Sequence, residues 1–318
     1  MEILSSIVEL LSSGWFLAIL LAGAMFAAGV FIDEKLLNDL NVGVMVIISS
    51  LFGVLVMLVF AIMAFITDSS LQLNPDVLKW ALLIGVGEIV WVIPYLYALE
   101  RRGAVVAGPL FQLIPVVGGI AEAILFGIIP PFIHVIGALL IVIGGFVLSI
   151  EKEELEDGTS KYISDWRTVG LMTIAASIAS LIYVFFKDTA GGSDGFVAVG
   201  FWTGLGMVLT GIFIWLIYEP YRTVFNEFCK SANIKIVGIQ MLNETMDAGG
   251  AYLTHFAIII GPSVLIVTAF NAAQPIFLLL FAAILLFLGV KIWDTDHQWK
   301  LIVPSILTIA AGTVLIAI

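Results

Sequence analysis

The sequence predicts an all-α integral membrane protein with ten transmembrane helices in two inverted five-helix repeats. Three observations carry that prediction. The 318 residues are 61% hydrophobic and only 12% charged, with a mean hydropathy of +1.16, whereas a soluble domain carries about 25% charged residues. A water-soluble coat cannot be made from this composition. The apolar residues also gather into uninterrupted runs of the length that crosses a hydrocarbon core of about 30 Å. With no water there to satisfy peptide groups, such runs are helices; a membrane barrel would alternate polar and apolar residues in short segments instead. Finally, the second half of the chain repeats landmarks of the first.

Bounded by charges, prolines or polar clusters, the ten runs are Gly14 to Ile32, Gly43 to Thr67, Val77 to Leu99, Ala104 to Ile128, Pro130 to Ile150, Thr168 to Lys187, Phe196 to Tyr218, Ile234 to Ile259, Pro262 to Val290, and Trp299 to Ile318. Ahead of the first, Ile3, Leu4, Ile7, Val8, Leu10 and Leu11 recur at helical spacing, as an interfacial helix or an extension of the first span. Glu2 and Glu9 stand where a signal peptide would have a basic region, so the first span is expected to stay in the membrane. Trp15, Trp80, Trp166 and Trp299 sit at or near span starts, the headgroup level that suits an amphipathic indole. Glu151 to Arg167 is the one strongly hydrophilic stretch. It reads as a charged hinge loop between a first repeat, residues 1–150, and a second, residues 168–318.

From Tyr95 the chain reads YLYALERRGAVVAGPLFQLIP, and from Tyr252 it reads YLTHFAIIIGPSVLIVTAFNAAQP. Each copy has a tyrosine-led helix end, a Gly-Pro turn region and a glutamine near a proline, Gln112 with Pro115 and Gln274 with Pro275. Upstream, Val30-Phe31-Ile32-Asp33-Glu34-Lys35 echoes Val184-Phe185-Phe186-Lys187-Asp188. An odd number of helices per repeat sets the copies in opposite orientations, the design of many secondary transporters. Eleven of the 13 Lys and Arg fall in the connectors on one face, and only Lys79 and Lys187 fall on the other. Positive charge marks the cytoplasmic side, so both termini are expected outside the cytoplasm.

The net charge of −11 argues against nucleic acid as a partner, because phosphate binding needs a basic face. The single cysteine, Cys229, excludes intramolecular disulfides and multi-thiolate metal sites. No cofactor or metal is expected. The expected partners are the lipid bilayer and a small-molecule substrate, with the chain a monomer or homodimer.

The stretch Ala104 to Ile150, with Pro109, Pro115, Gly137 and Gly144-Gly145, and its second-half partner from Asn243-Glu244 to Gln274-Pro275, resemble EamA-type members of the drug/metabolite transporter superfamily. The resemblance covers nearly the whole chain. It implies a cell-membrane carrier for small metabolites with a central cavity between the repeats. Two features depart from the family's habit. EamA-type sequences often place an acid at the end of the fourth and ninth helices, where this chain is apolar around Ile128 and Val290. Relatives also commonly have cytoplasmic termini, the reverse of what the basic residues here indicate.

Glu88 lies 11 residues into the third run and Glu244 lies 10 into the eighth, which at about 1.5 Å per residue is roughly 15 Å deep, near the midplane. An acid at that depth costs a few kcal/mol and usually faces a partner or a watery cavity. Asp247 stands at i+3 from Glu244 and Gln240 at i−4, on one helix face. These carboxylates are candidates for proton exchange as a cavity opens to either side; the alternative is hydrogen bonding between helices that never meets substrate. Trp91 and Tyr95 continue the face of Glu88 and offer an aromatic wall to a cationic or ring-bearing ligand. Gln112, Asn243, Asn271 and Gln274 are deep amides able to bind substrate or one another's helices. Pro94, Pro109, Pro115, Pro262 and Pro275 are expected to break or kink spans, the kind of backbone that lines transporter cavities. Glu122, near a helix end, is expected to snorkel to the interface, as is Lys187, while His255 reads as a structural histidine. His134 and His297 suggest nothing specific, and Gly200-x-x-x-Gly204 is weak ground for a dimer.

The substrate and proton candidates are therefore Glu88, Trp91, Tyr95, Gln112, Asn243, Glu244, Asp247 and Gln274. A flippase for a lipid-linked substrate is the nearer alternative and an intramembrane enzyme the more distant. No His-Glu-x-x-His run or second deep aspartate beside Asp247-Ala248-Gly249 is evident for the latter.

Overall fold

Apolar length decides where this chain runs as helix, and proline and glycine decide where it breaks. In the computed structural model, residues 13–148, 151–154, 160–163, 165–271, 274–287 and 299–317 are described. The first two helices are α1 (Gly14–Leu36) and α2 (Val42–Thr67). Asn41 starts α2 by accepting the Gly43 N–H at 2.8 Å. Helix α3 (Pro75–Val90) begins with Pro75, whose missing N–H is harmless there, while the Asn74 side chain accepts from the Val77 N–H at 2.9 Å. It is separated from α4 (Val92–Ala107) by a break at Trp91. Pro94 explains that break, since it cannot donate to the carbonyl of Val90 one turn back.

The helix kinks at Gly103, where φ is +71° and ψ 176°, a conformation that needs glycine. A 3₁₀ turn (Gly108–Gln112) follows, then α5 (Leu113–Phe126) and α6 (Phe132–Leu148). Two short strands, β1 (Glu151–Glu154) and β2 (Ser160–Ile163), pair antiparallel with Glu151 opposite Ile163. After them come α7 (Trp166–Ala190), α8 (Ser193–Ile217), α9 (Glu219–Ser231) and α10 (Ile234–Ile260). The last are α11 (Val264–Phe270), α12 (Gln274–Phe287) and α13 (Trp299–Ala317).

Five stretches are long and apolar enough to cross a membrane: Gly14–Leu36, Val42–Thr67, Pro75–Ala104, Trp166–Ala190 and Asp194–Ile217. Shorter apolar helices cover Leu110–Phe126, Phe132–Val147 and Leu307–Ile316. Three features depart from the sequence expectation. The hydrophilic connector, expected as a loop, holds the β1–β2 hairpin, so the fold is helical apart from that element. The connector after α8 holds α9, too charged to read as a span, which buries Tyr221. The fourth run is interrupted by the 3₁₀ turn before Pro115, and within the ninth run α11 ends at Phe270. The N-terminal stripe from Ile3 to Leu11, Val290, His297 and the side chain of Trp299 lie outside the described residues.

Helices from before the hairpin pack mainly on helices from after it: α1 on α10, α2 and α3 on α8, α4 and α5 on α7, and α6 on α13. Glycines make the closest of these seams possible. A Cβ built on Gly53 would lie 2.5 Å from the carbonyl oxygen of Gly204, and one on Gly204 2.9 Å from that of Gly53. Gly137 and Gly312 meet in the same reciprocal way, at 2.6 and 2.5 Å. Gly204 is therefore used within the chain, and Gly200 faces Phe60.

Two predictions follow from these seams and caps. On α3, a Cβ at Gly85 would strike the carbonyl oxygen of Thr203 and lie 2.8 Å from the Cα of Gly206. Gly85→Val is expected to lower stability by about 1–3 kcal/mol or more through overpacking, seen as a lower melting temperature in detergent. At the start of α7, Asp165 accepts from the Arg167 N–H at 3.1 Å, Thr168 Oγ1 at 3.0 Å and Arg101 Nη2 at 3.0 Å. Burial pushes its carboxyl up, but the bonds from Arg101, Thr168 and the Arg167 N–H, with the Arg101 charge, outweigh it and hold it at about 2, below the ordinary 3.8. Asp165→Ala should cost about 1 kcal/mol near neutral pH. Because the folded value is depressed, the wild-type advantage should be complete above about pH 4 and fade as the pH falls toward about 2, which melting curves across that window would show.

Candidate functional site

Helix α10 carries Gln240, Asn243, Glu244 and Asp247 at spacings of three and four, so their side chains share the face that packs on α1 and α2. Within the helix, Gln240 Nε2 donates to Glu244 Oε1 at 2.6 Å, and Asn243 Nδ2 donates to Asp247 Oδ2 at 3.2 Å. The facing residue on α1 is Asp33, 3% exposed. Asn243 Nδ2 also donates to Asp33 Oδ1 at 2.7 Å, and Tyr95 on α4 donates its phenolic proton to Asp33 Oδ2 at 2.8 Å. Gly29, one turn before Asp33, leaves the space that the Asp247 carboxylate fills, since a Cβ there would overlap it. From α2, Ser49 Oγ lies 2.5 Å from Glu244 Oε1 and 2.9 Å from the Met45 carbonyl. A hydroxyl has one proton to give. The serine can thus donate to an ionised Glu244, or accept a hydrogen bond from the neutral carboxyl and donate to the Met45 carbonyl instead.

A second group forms around Glu88. Its Oε1 lies 2.8 Å from His255 Nε2, and its Oε2 accepts from Trp91 Nε1 at 3.1 Å. His255 is 1% exposed and stacks on Phe186, with ring centroids 3.9 Å apart.

Both groups border one cavity of about 90 Å³, counted to the centres of water-sized spheres, where a single water needs about 10–15 Å³. It has room for several waters or a small organic molecule. Of the residues singled out in the sequence, Glu88, Trp91, Tyr95, Gln112, Glu244, Asp247 and Gln274 line it. Asn243 stands behind the lining, holding Asp33 and Asp247 together. Asp33, Ser49, Tyr183 and Tyr252 also line the cavity and were not foreseen as site residues. Asp33 carried a signal, as part of the Val30 to Lys35 echo, but it stands beside Glu34 and Lys35 and reads there as a span boundary.

Residues 13–150 match the EamA-like transporter family. That match spans less than half of the chain and likens its first part to the drug/metabolite transporter superfamily. With five apolar stretches among the described residues long enough to cross a membrane, the protein is an integral membrane protein. A solved structure described only as a protein crystal structure matches at 17% identity and TM-score 0.63, over 95% of this chain and 94% of its own. At that identity the likeness concerns the fold. No curated protein matches.

Within and around residues 13–150 two expectations are corrected. Glu122 does not snorkel: it is 2% exposed and accepts from the N–H groups of Val264 at 2.9 and 3.0 Å and of Leu265 at 3.3 Å. Its depth was judged from the end of its own helix, yet the start of α11, whose first N–H groups have no partner within the helix, lies beside it. Lys187, also expected at the interface, turns to Glu122, with Nζ 3.7 Å from Oε1. His255, expected as a structural histidine, is buried against Phe186 and bonded to Glu88.

Glu122→Ala would leave the Val264 and Leu265 N–H groups unsatisfied, so stability should fall by about 1–3 kcal/mol. Glu122→Gln, which keeps an acceptor, should lose less. Melting of both variants in detergent checks the order.

Proposed function

We propose that the protein is a secondary carrier that moves a small metabolite across the cell membrane by alternating access, with proton coupling through Glu244, Asp247 and Asp33. The observation that carries this reading is the shared cavity: carboxylates from α1, α3 and α10 border one space large enough for a small molecule, and no Lys or Arg is among its described lining residues. Burying several negative charges without cations is costly. A bound proton or a bound cation removes that cost, so occupancy of the carboxylates is tied to the state of the cavity. Ser49 supplies hydrogen-bonding geometry for both the ionised and the protonated forms of Glu244.

Alternating access in such carriers comes from two inverted repeats moving about a central site. Several features support ten spans divided into residues 1–150 and 168–318. If the runs correspond in order, α2 pairs with α8, its own counterpart, and α6 with α13, its own counterpart, each through reciprocal glycines. Helix α1 lies on α10 as α7 lies on α3 and α4. The fourth run breaks beside the cavity-lining Gln112, and in the ninth run Gln274 lines the same cavity. The distribution of basic residues places both termini on the non-cytoplasmic side. Within this carrier Trp91, Tyr95, Gln112 and Gln274 contact substrate, Asn243 positions Asp33 and Asp247, and Glu88 with His255 forms a second proton-accepting pair.

Proteoliposomes tested with radiolabelled alanine, uridine and benzylamine provide the measurement. A proton gradient should drive flux of at least one probe in the wild type, and Glu244→Gln should reduce that gradient-driven flux by tenfold or more while counterflow without a gradient persists. Wild-type flux and an unchanged pH profile in both Glu244→Gln and Asp33→Asn would overturn the proton-coupling assignment.

A further inference from the structure

We infer that the cargo is a compact organic cation, an ammonium head on an apolar or aromatic body, and that the head docks among Asp33, Glu244 and Asp247. Its role as cargo rests on the carrier reading above; the binding site itself does not. The first ground is charge. Of the four carboxylates that line the cavity, Glu88 has His255 as a partner able to carry charge. The other three are met only by neutral donors, from Tyr95, Asn243, Gln240 and Ser49. A single amide group, that of Asn243, serves both Asp33 and Asp247.

The second ground is independent of charge and concerns hydrogen-bond donors. The buried amide oxygens of Gln240, Asn243 and Asn271 have no partner. Gln240 and Asn243 are each 1% exposed, on the same helix face as Glu244 and Asp247, and Asn271 lines the cavity. Of the three, Asn271 borders the cavity while Gln240 and Asn243 stand behind its lining; with the four carboxylates they make surroundings rich in acceptors, to which the unpartnered Tyr252 hydroxyl adds a neutral donor but no positive charge. An ammonium group supplies what is missing, up to three N–H donors and a positive charge. A carboxylate or phosphate would add acceptors where they are already in excess. The donors are not arranged for a metal either: no group of three His, Cys, Asp or Glu suited to holding an ion occurs among the described residues.

The third ground is the wall beside the acids. Trp91, Tyr95 and Phe111 form a continuous aromatic surface, with ring centroids 5.7, 5.8 and 5.2 Å apart. All three line the cavity. Ring faces attract cations and accept flat apolar bodies. The remaining unpaired amide donor, Gln274 Nε2, leaves a place for one acceptor on the far part of the ligand.

Protons and the cation compete for the same carboxylates, so the test uses both. Calorimetry on the full-length protein in detergent compares benzylamine, benzyl alcohol, benzoate and phenylalanine, at about pH 6 and about pH 8, where displacing one proton weakens binding up to about tenfold per pH unit on acidification. Benzylamine is expected to bind at least tenfold more tightly than benzyl alcohol or phenylalanine and to weaken at the lower pH, with benzoate not bound. Asp33→Asn and Glu244→Gln should each weaken benzylamine at least tenfold, and Asp33→Glu should recover part of that loss. Equal or tighter binding of benzyl alcohol, benzoate or phenylalanine overturns the inference, as does binding of no probe, or full benzylamine affinity in both neutral variants. Because the wild-type panel decides on its own, a variant that does not fold leaves the test intact. In proteoliposomes, benzylamine that binds but is not moved, with no other probe moved, sinks the carrier reading and keeps the cation site. Flux of benzoate or alanine without benzylamine binding does the reverse.

Discussion

Hydrocarbon offers no hydrogen bonds, and that one constraint organises this molecule. Every polar atom inside the helical layer must find a protein partner or a ligand. Asn243 shows how closely the demand is met and where it stops: its amide nitrogen binds Asp33 and Asp247 on two helices, while its amide oxygen is left unpaired. Removing that side chain would take a donor from two buried carboxylates at once. The tie between α1 and α10 and the chemistry of the cavity are therefore the same set of bonds.

The same constraint explains the helix breaks. Pro94 and Pro115 each withdraw an N–H from a carbonyl one turn earlier, and at those points the chain turns from regular helix to the cavity wall. Trp91 sits at one break and Gln112 at the other, and both line the central space. At the start of α11 the free N–H groups are satisfied by Glu122, carried on α5. An acid that reads from its own helix as an interfacial side chain is there a structural anchor, and Lys187 offsets its charge. Depth raises the question of what a buried acid does; its partners answer it.

Glycine seams set the distances over which these contacts work. Where Gly53 meets Gly204 and Gly137 meets Gly312, backbones approach closely enough that a methyl group would collide. Such seams fix helix rotation, and rotation selects which side chains face the cavity. Gly29 does this most directly, because the room it leaves is taken by Asp247.

Much of this was legible locally. The apolar runs, the break near Pro94 and the common face of Gln240, Glu244 and Asp247 all depend on neighbours within one or two turns, so the sequence alone determined them. The partner of each buried acid was not legible. Asp33 meets Asn243 across 210 positions and Glu88 meets His255 across 167, and nothing in the spacing of either residue says which helix will lie against it. Helix α9 and the hairpin escaped notice for another reason, since charged connectors carry no apolar signal. Only the tertiary structure decided that Asp33 belongs to the cavity and Glu122 to a helix end, because hydrophobic periodicity gives each helix a buried side but the packing of small residues between helices sets what that side meets.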